Sequence, residues 1–536
     1  MKSKASLLIV FLTEVLAIIL AVFGVLPREV VLISSGIMIF YFIFSKIEDS
    51  LILFIISIPL FVAMPITDAF DTMANWRILL VILFLVWFFK KGYLKRFFAK
   101  GFCCLPSIKI NSNLTKFVLL FLFIGFLSIF VATSPVAAIK KLLFLINIFL
   151  LFPIIKDVAK DKIQKARIVK GGIWVTIIVL IVGFSQVLSG FFTPLYNFWQ
   201  WWANHVISVF YGNNLSELLK VSNTWFAYYP DGPPTLRMFS LFPDSHSFAM
   251  FLIIGLGFIT FWLVGLPMFS RFPRSPQRDE LRVEPFAPSG KSEGRARFRV
   301  QNPLENIGKP VIWLCIVFSF LALISSGSRG VWLSAIIPFL AAMFLLVFKK
   351  EKIFKPFILM LIIFALSFPV SSLILSNSRQ DGEDATLAFK RAKSIADLEE
   401  LSVKSRLGIW KASFQSILKH PLLGVGIGNY PIVLGEDISA AKKGASAHNL
   451  YLDIASEMGL LGLVVFLLIF LEIFRYALKQ AKSRPFMMIF IFSFVWISIY
   501  NLFDVVLLND KVLLLFMVIL GLFYALDNES DTKDYE

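Results

Sequence analysis

Residues 447–478 read AHNLYLDIASEMGLLGLVVFLLIFLEIFRYAL. From Leu460 onward the stretch is apolar and long enough to cross a bilayer. A segment surrounded by lipid must satisfy its own backbone hydrogen bonds, so it reads as a helix. Its leading turns, Ala447 to Glu457, carry His448, Asn449, Asp453 and Glu457. Titratable groups therefore gather at one membrane edge.

Working outward, comparable apolar runs lie near 6–26, 30–45, 51–66, 78–89, 117–133, 142–155, 171–190, 247–267, 311–324, 331–348, 357–375, 486–504 and 512–526. With 460–478 this predicts an all-α polytopic membrane protein of about twelve to fourteen transmembrane helices. Composition agrees, with 58% hydrophobic residues, 59 phenylalanines and a mean hydropathy of +0.80. The first run follows Lys2 and Lys4 but lacks a small-residue cleavage pattern, so it reads as the first span rather than a signal peptide.

The net charge of +17 sits in short segments between spans, which marks topology and not nucleic-acid binding. Lys90 to Lys100, Lys156 to Lys170, Arg271 to Lys309, Lys349 to Lys355 and Lys479 to Arg484 all fall on one side if there are fourteen spans. The positive-inside rule then predicts both termini in the cytoplasm. The expected organisation is N-terminal helices over 1–190, an aromatic-rich extracytoplasmic loop over 191–246 and a transmembrane core over 247–375 containing a basic cytoplasmic loop at 268–310. A large extracytoplasmic loop over 376–459 and C-terminal helices over 460–526 follow. Cys103, Cys104 and Cys315 fall on the cytoplasmic side or within a span, and imply no disulfide framework.

All four histidines, His205, His246, His420 and His448, lie in the outer loops or at their edge. In the first loop Trp199, Trp201, Trp202, Trp225 and their neighbours read as an interfacial aromatic belt, with a platform for sugar rings as the second reading. In the second loop Leu407, Trp410, Phe414, Ile417 and Leu418 recur at helical spacing. They predict an amphipathic helix over 403–419 lying on the membrane, with Arg406 just off its apolar stripe. Gly424, Gly426 and Gly428 follow no strand, so they permit a tight turn and are no dinucleotide fingerprint.

No Walker loop, HExxH, paired CxxC or Asp-x-Asp occurs, so no nucleotide, cofactor or metal site is expected. A trio of His205, Asp244 and His246 matches no ligand spacing. Arg329, in the Ser/Gly turn SSGSRGVW, reads either as a snorkelling interfacial arginine or as an anion ligand. Arg406 and Arg237 share that ambiguity. His448 is either a structural residue or a general base at the membrane edge.

SGSRGVWL at 326–333, SRLGIW at 405–410, PLLGVGIGNY at 421–430 and AHNLYLDIASEMGLLG at 447–462 resemble, in that order, the motifs of the O-antigen ligase and Wzy-type polymerase family of bacterial membrane glycosyltransferases. The resemblance covers about 237–465. It implies a GT-C-like fold in the cytoplasmic membrane and a role in cell-envelope or lipopolysaccharide polysaccharide biosynthesis. It further implies an inverting, metal-independent transfer of a glycan from a polyprenyl (undecaprenyl) diphosphate carrier to a hydroxyl of a glycolipid or glycan acceptor. Carried over by motif, Arg329 and Arg406 hold the diphosphate and His448 serves the acceptor. Arg237 and Asn449 are further candidates for binding substrate. A Wzy-type polymerase is the alternative. A flippase for lipid-linked sugars is the rival of another class, for which Glu14, a carboxylate well inside a span, is the feature to explain.

Overall fold

The computed structural model describes residues 2–67, 71, 73–93, 113–220, 225–229, 232–270, 308–349, 355–377, 401–435, 445–481 and 487–525. Most of the basic loop 268–310, Cys103, Cys104, the acidic tail and large parts of 376–459 lie outside the described residues. Each apolar run expected from the sequence falls on a helix. Among the described residues seven helices are long and apolar enough to cross a bilayer: Ala5–Val22, Asn113–Val131, Pro135–Val158, Lys162–Ser189, Ser245–Leu263, Pro356–Leu375 and Leu450–Ala481. Shorter apolar helices are Val30–Phe44, Pro310–Ser325, Arg329–Leu345 and Met487–Tyr500. The chain is a nearly all-α polytopic membrane protein.

Several runs differ in detail from their expected form. The run at 51–66 is not one continuous helix: helix Ile47–Ile56 gives way to a single 3₁₀ turn, Ile58–Leu60, at Pro59. The irregular backbone that follows is buried in protein and satisfied there. Val62 N–H bonds Asn75 Oδ1 at 3.2 Å, Asn75 N–H bonds the Val62 carbonyl at 2.9 Å, and Ala63 pairs with Ala74. The run at 142–155 begins earlier, at Pro135, where Ser134 caps the helix. That extension brings Lys141 into the helix.

Polar contacts sort the helix ends into two faces. On one, Arg28 pairs with Asp71 at 2.7 Å, Trp76 Nε1 bonds Asp510 at 3.0 Å, and Lys511 Nζ donates to the Pro59 carbonyl at 3.0 Å. On the other, Arg167 pairs with Asp49 at 2.6 Å, and Asp157 receives Lys91 at 3.0 Å and Trp87 Nε1 at 3.1 Å. Glu14 lies between the faces, buried, with Ser57 Oγ donating to its Oε2 at 2.5 Å.

The segment 191–246 forms a folded cap on the first of these faces. It contains helices Leu195–Trp202, Ser208–Tyr211 and Asn213–Lys220, and an antiparallel hairpin, Phe226–Tyr229 with Gly232–Leu236. Phe198, Trp202, Phe210, Trp225 and Phe239 make its core and pack on Ile18, Ala21 and Val31. Much of the aromatic content is therefore interior packing, with Trp225 stacked on Phe239 at 4.7 Å. Phe192 and Tyr196 remain exposed.

Candidate active site

The glycine turn after Pro421 fits into a break in the Leu450–Ala481 helix. Gly459 adopts φ 68° and ψ −174°, which divides that helix in two. A Cβ there would lie 2.1 Å from the Leu422 carbonyl oxygen, so glycine is required. The turn satisfies the groups that the break exposes. Val425 N–H bonds the Ser456 carbonyl and Gly426 N–H the Glu457 carbonyl, both at 2.9 Å, while Leu460 N–H bonds the Pro421 carbonyl at 2.8 Å. Gly424, Gly426 and Gly428 all have positive φ, and Gly426 packs on Ala132.

The nine residues from Leu450 to Met458 thus form a separate short helix, with His448 and Asn449 at its start. Asn449 is its cap: its Oδ1 accepts from Tyr451 N–H at 3.0 Å and Leu452 N–H at 3.2 Å. His448 itself has φ 46°, a left-handed conformation that a non-glycine residue holds only when its surroundings enforce it. Helix Leu401–Lys419 runs beside it. Its exposed stripe holds Lys404, Leu407, Lys411, Phe414 and Leu418, whereas Ser413 and Ile417 are buried and Trp410 and Arg406 are half-buried. The single apolar stripe read from the sequence is therefore divided. Ile417 and Trp410 turn toward the protein, because Trp410 Nε1 donates to the Ala447 carbonyl at 3.0 Å and Ser413 bonds the Tyr430 hydroxyl at 2.6 Å. Arg406, one turn before Trp410, lies on the inner side with it.

Asp504 is the centre of the cluster. Its Oδ2 lies 3.4 Å from His246 Nδ1 and its Oδ1 3.8 Å from His448 Nδ1. The His448 Nδ1 is buried without a hydrogen-bond partner, whereas the side chain as a whole is 40% exposed. The imidazole thus turns Nδ1 toward a carboxylate, and its other nitrogen has no hydrogen bond among the described residues. His246 Nδ1 also meets Ser328 Oγ at 2.9 Å and the Tyr500 hydroxyl at 3.3 Å, and Ser328 and Tyr500 bond each other at 2.9 Å. Burial by itself would raise the Asp504 carboxyl, but His246, His448 and Arg406 outweigh it and hold it well below the usual carboxylate range. Asp244 goes the other way, raised by burial and by Asp504, although Ser247 bonds both its oxygens.

Three helices begin at this cluster: Ser245–Ser270, Arg329–Lys349 and Leu450–Ala481. Each presents the positive end of its dipole there, with part of its first turn already capped: Asn449 Oδ1 accepts Tyr451 and Leu452 N–H, and Asp244 Oδ1 accepts Ser247 N–H. Arg329 directly follows Ser328, and Gly330 packs on Phe503 and Tyr500. Arg237 and Arg406 lie within electrostatic reach of His246. The turn carrying Arg237 is fixed by Gln186, whose Oε1 accepts Ser240 N–H at 2.7 Å, and by Met238 N–H on the Ser325 carbonyl at 3.0 Å. Arginines and helix N-termini around imidazoles can bind a multiply charged anion beside a base.

The structure therefore gathers Arg237, Arg329, Arg406 and His448 on one face, from four separate stretches of chain. His205 stands apart, its Nδ1 on the Trp201 carbonyl at 2.9 Å. Tyr500 and Asp504 belong to no motif that sequence reading would single out; His246 stood only among the outer histidines, and Ser328 only beside Arg329 in SGSRGVWL. Asp504 had been absorbed into the end of a predicted span, and only its charge there was a signal. No curated protein matches the chain. Residues 314–467 match the family model Wzy_C, described as O-antigen ligase, a range that contains Arg329, Arg406 and His448. By that match and by the ordered motifs within it, residues 314–467 are similar to the O-antigen ligase domain.

Proposed function

We propose that this protein transfers a glycan from a polyprenyl diphosphate carrier to an acceptor hydroxyl at the outer face of the cytoplasmic membrane. The observation that carries the reading is that Arg237, Arg406, His448 and Asp504 surround His246, whose Nδ1 also meets Ser328, the residue before Arg329 at a helix N-terminus. The acceptor oxygen attacks the anomeric carbon as the bond from that carbon to the diphosphate oxygen breaks. The electron pair leaves with the diphosphate, where planar guanidinium groups neutralise it. The acceptor proton passes to the other nitrogen of His448, while Asp504 faces Nδ1 and stabilises the imidazolium. A single displacement inverts the anomeric centre. The donor bond supplies the energy, so no nucleotide is needed, and the guanidinium groups take the charge-neutralising part that a metal would otherwise play.

Glycan analysis of a strain deleted for the gene tests this reading. Full-length chains accumulating on the carrier identify a ligase, and single repeat units identify the polymerase alternative. Unchanged surface glycan in a strain without a second such gene contradicts glycan transfer. Both accumulations require carrier-linked glycan on the outer leaflet. Material retained on the inner leaflet would identify a flippase.

A further inference from the structure

Lys141 lies outside the Arg and His cluster, on the helix that begins at Pro135. Its Nζ is 2.5 Å from Glu457 Oε2 and 3.8 Å from Asp453 Oδ2, and both carboxylates are buried. The carboxylates lie one turn apart on the short helix that opens after His448. Neither is idle. Glu457 Oε1 accepts Tyr430 N–H at 3.3 Å, and Asp453 Oδ1 accepts Ala447 N–H at 3.1 Å.

Ala447 is thereby held at both its polar groups, its N–H by Asp453 and its carbonyl by Trp410. The next residue is His448, in its left-handed conformation. The same stretch around Lys141 also grips the glycine turn. Asn429 Oδ1 accepts Ser134 N–H at 2.8 Å, Ile427 N–H bonds Ser128 Oγ at 3.1 Å, and Gly428 packs on Ala137. Two carboxylates close together in a buried site repel one another unless a cation lies between them. Without Lys141, Asp453 has reason to take up a proton or turn away, and its hold on Ala447 goes with it.

We propose that Lys141 is a positioning residue, which fixes the His448 imidazole through Asp453 and the Ala447 peptide. It touches no substrate on this account. The inference rests on His448 taking part in transfer. Small misplacements of a reacting group cost rate steeply, while donor binding at the arginines is left alone.

The test measures transfer by the purified full chain in lipid nanodiscs, with a polyprenyl-diphosphate-linked glycan as donor. Lys141→Met is expected to lower kcat by about tenfold or more, with the donor KM within about twofold of the parent. Lys141→Arg is expected to restore most of kcat, because it can still bridge both carboxylates. Should Lys141→Met fail to fold, Lys141→Met with Glu457→Gln removes the pair together and keeps the question open to measurement. Asp453→Ala, which removes the acceptor of the Ala447 N–H, is expected to show the same fall in kcat. Unchanged kcat per folded molecule in these variants, with only thermal stability reduced, would overturn the proposal. Full transfer by His448→Ala would instead overturn the role of His448, and so separates the two readings.

Discussion

Trp410 donates its indole N–H to the carbonyl of Ala447 at 3.0 Å, across a gap of 37 residues in the chain. That one bond ties the helix carrying Arg406 to the turn carrying His448. A group suited to the diphosphate and a group suited to the acceptor are thus held in one unit. Trp410→Phe keeps the ring and loses the donor. It should lower transfer about three- to tenfold at little cost in folding, since one neutral hydrogen bond contributes about 1 kcal/mol. Kinetics on the variant beside its thermal unfolding curve check this. Unchanged transfer would remove the tie from the mechanism.

Asp504 faces both His246 and His448. Asp504→Asn should reduce transfer about 10²-fold or more, because the carboxylate no longer stabilises an imidazolium at His448. The pH dependence of stability follows from the lowered carboxyl. A depressed folded-state pKa contributes stability above the ordinary carboxylate pKa, and this is lost as pH falls through the lowered value. The thermal difference between parent and Asp504→Asn should be full at pH 7 and shrink only in strong acid. A difference that disappeared between pH 5 and 7 would contradict the assignment.

Gly459 and Gly408 offer a matched pair. At Gly459, φ 68° and a backbone oxygen 2.1 Å from the added Cβ leave no room. Gly459→Ala should cost at least about 2 kcal/mol and lower the yield of folded protein. At Gly408, within the Leu401–Lys419 helix, an added Cβ meets nothing within 4 Å. Gly408→Ala should be neutral or stabilise by about 0.5–1 kcal/mol. Equal thermal shifts in the two variants would argue against the helix break.

Arg329→Lys and Arg406→Lys keep charge and lose the planar fork. Each should reduce transfer at least about tenfold, which corresponds to roughly 1.4 kcal/mol of transition-state binding. An unaffected variant returns that arginine to the class of interfacial snorkellers.

A chelator should leave transfer unchanged, because the proposed charge neutralisation rests on guanidinium groups and helix N-termini. Inhibition by EDTA that added divalent metal reverses would contradict the metal-free reading.

What the sequence determined by itself was set by short-range physics. Apolar runs such as 460–478 must be helices in lipid, so the polytopic all-α class was legible. Arg329, Arg406 and His448 could be picked out as candidates, since they stand in contiguous motifs beside glycines. The break at Gly459 was not, because its cause is a distant turn at Val425 and Gly426 whose N–H groups cap it. The direction of Trp410 and Arg406 depended on a partner carbonyl at Ala447, which helical periodicity does not encode. Asp504, His246, Tyr500 and Lys141 gained their places only when helix ends distant in sequence met on one face. An ion pair between helices has no signature in either helix alone, and so it was decided by tertiary packing.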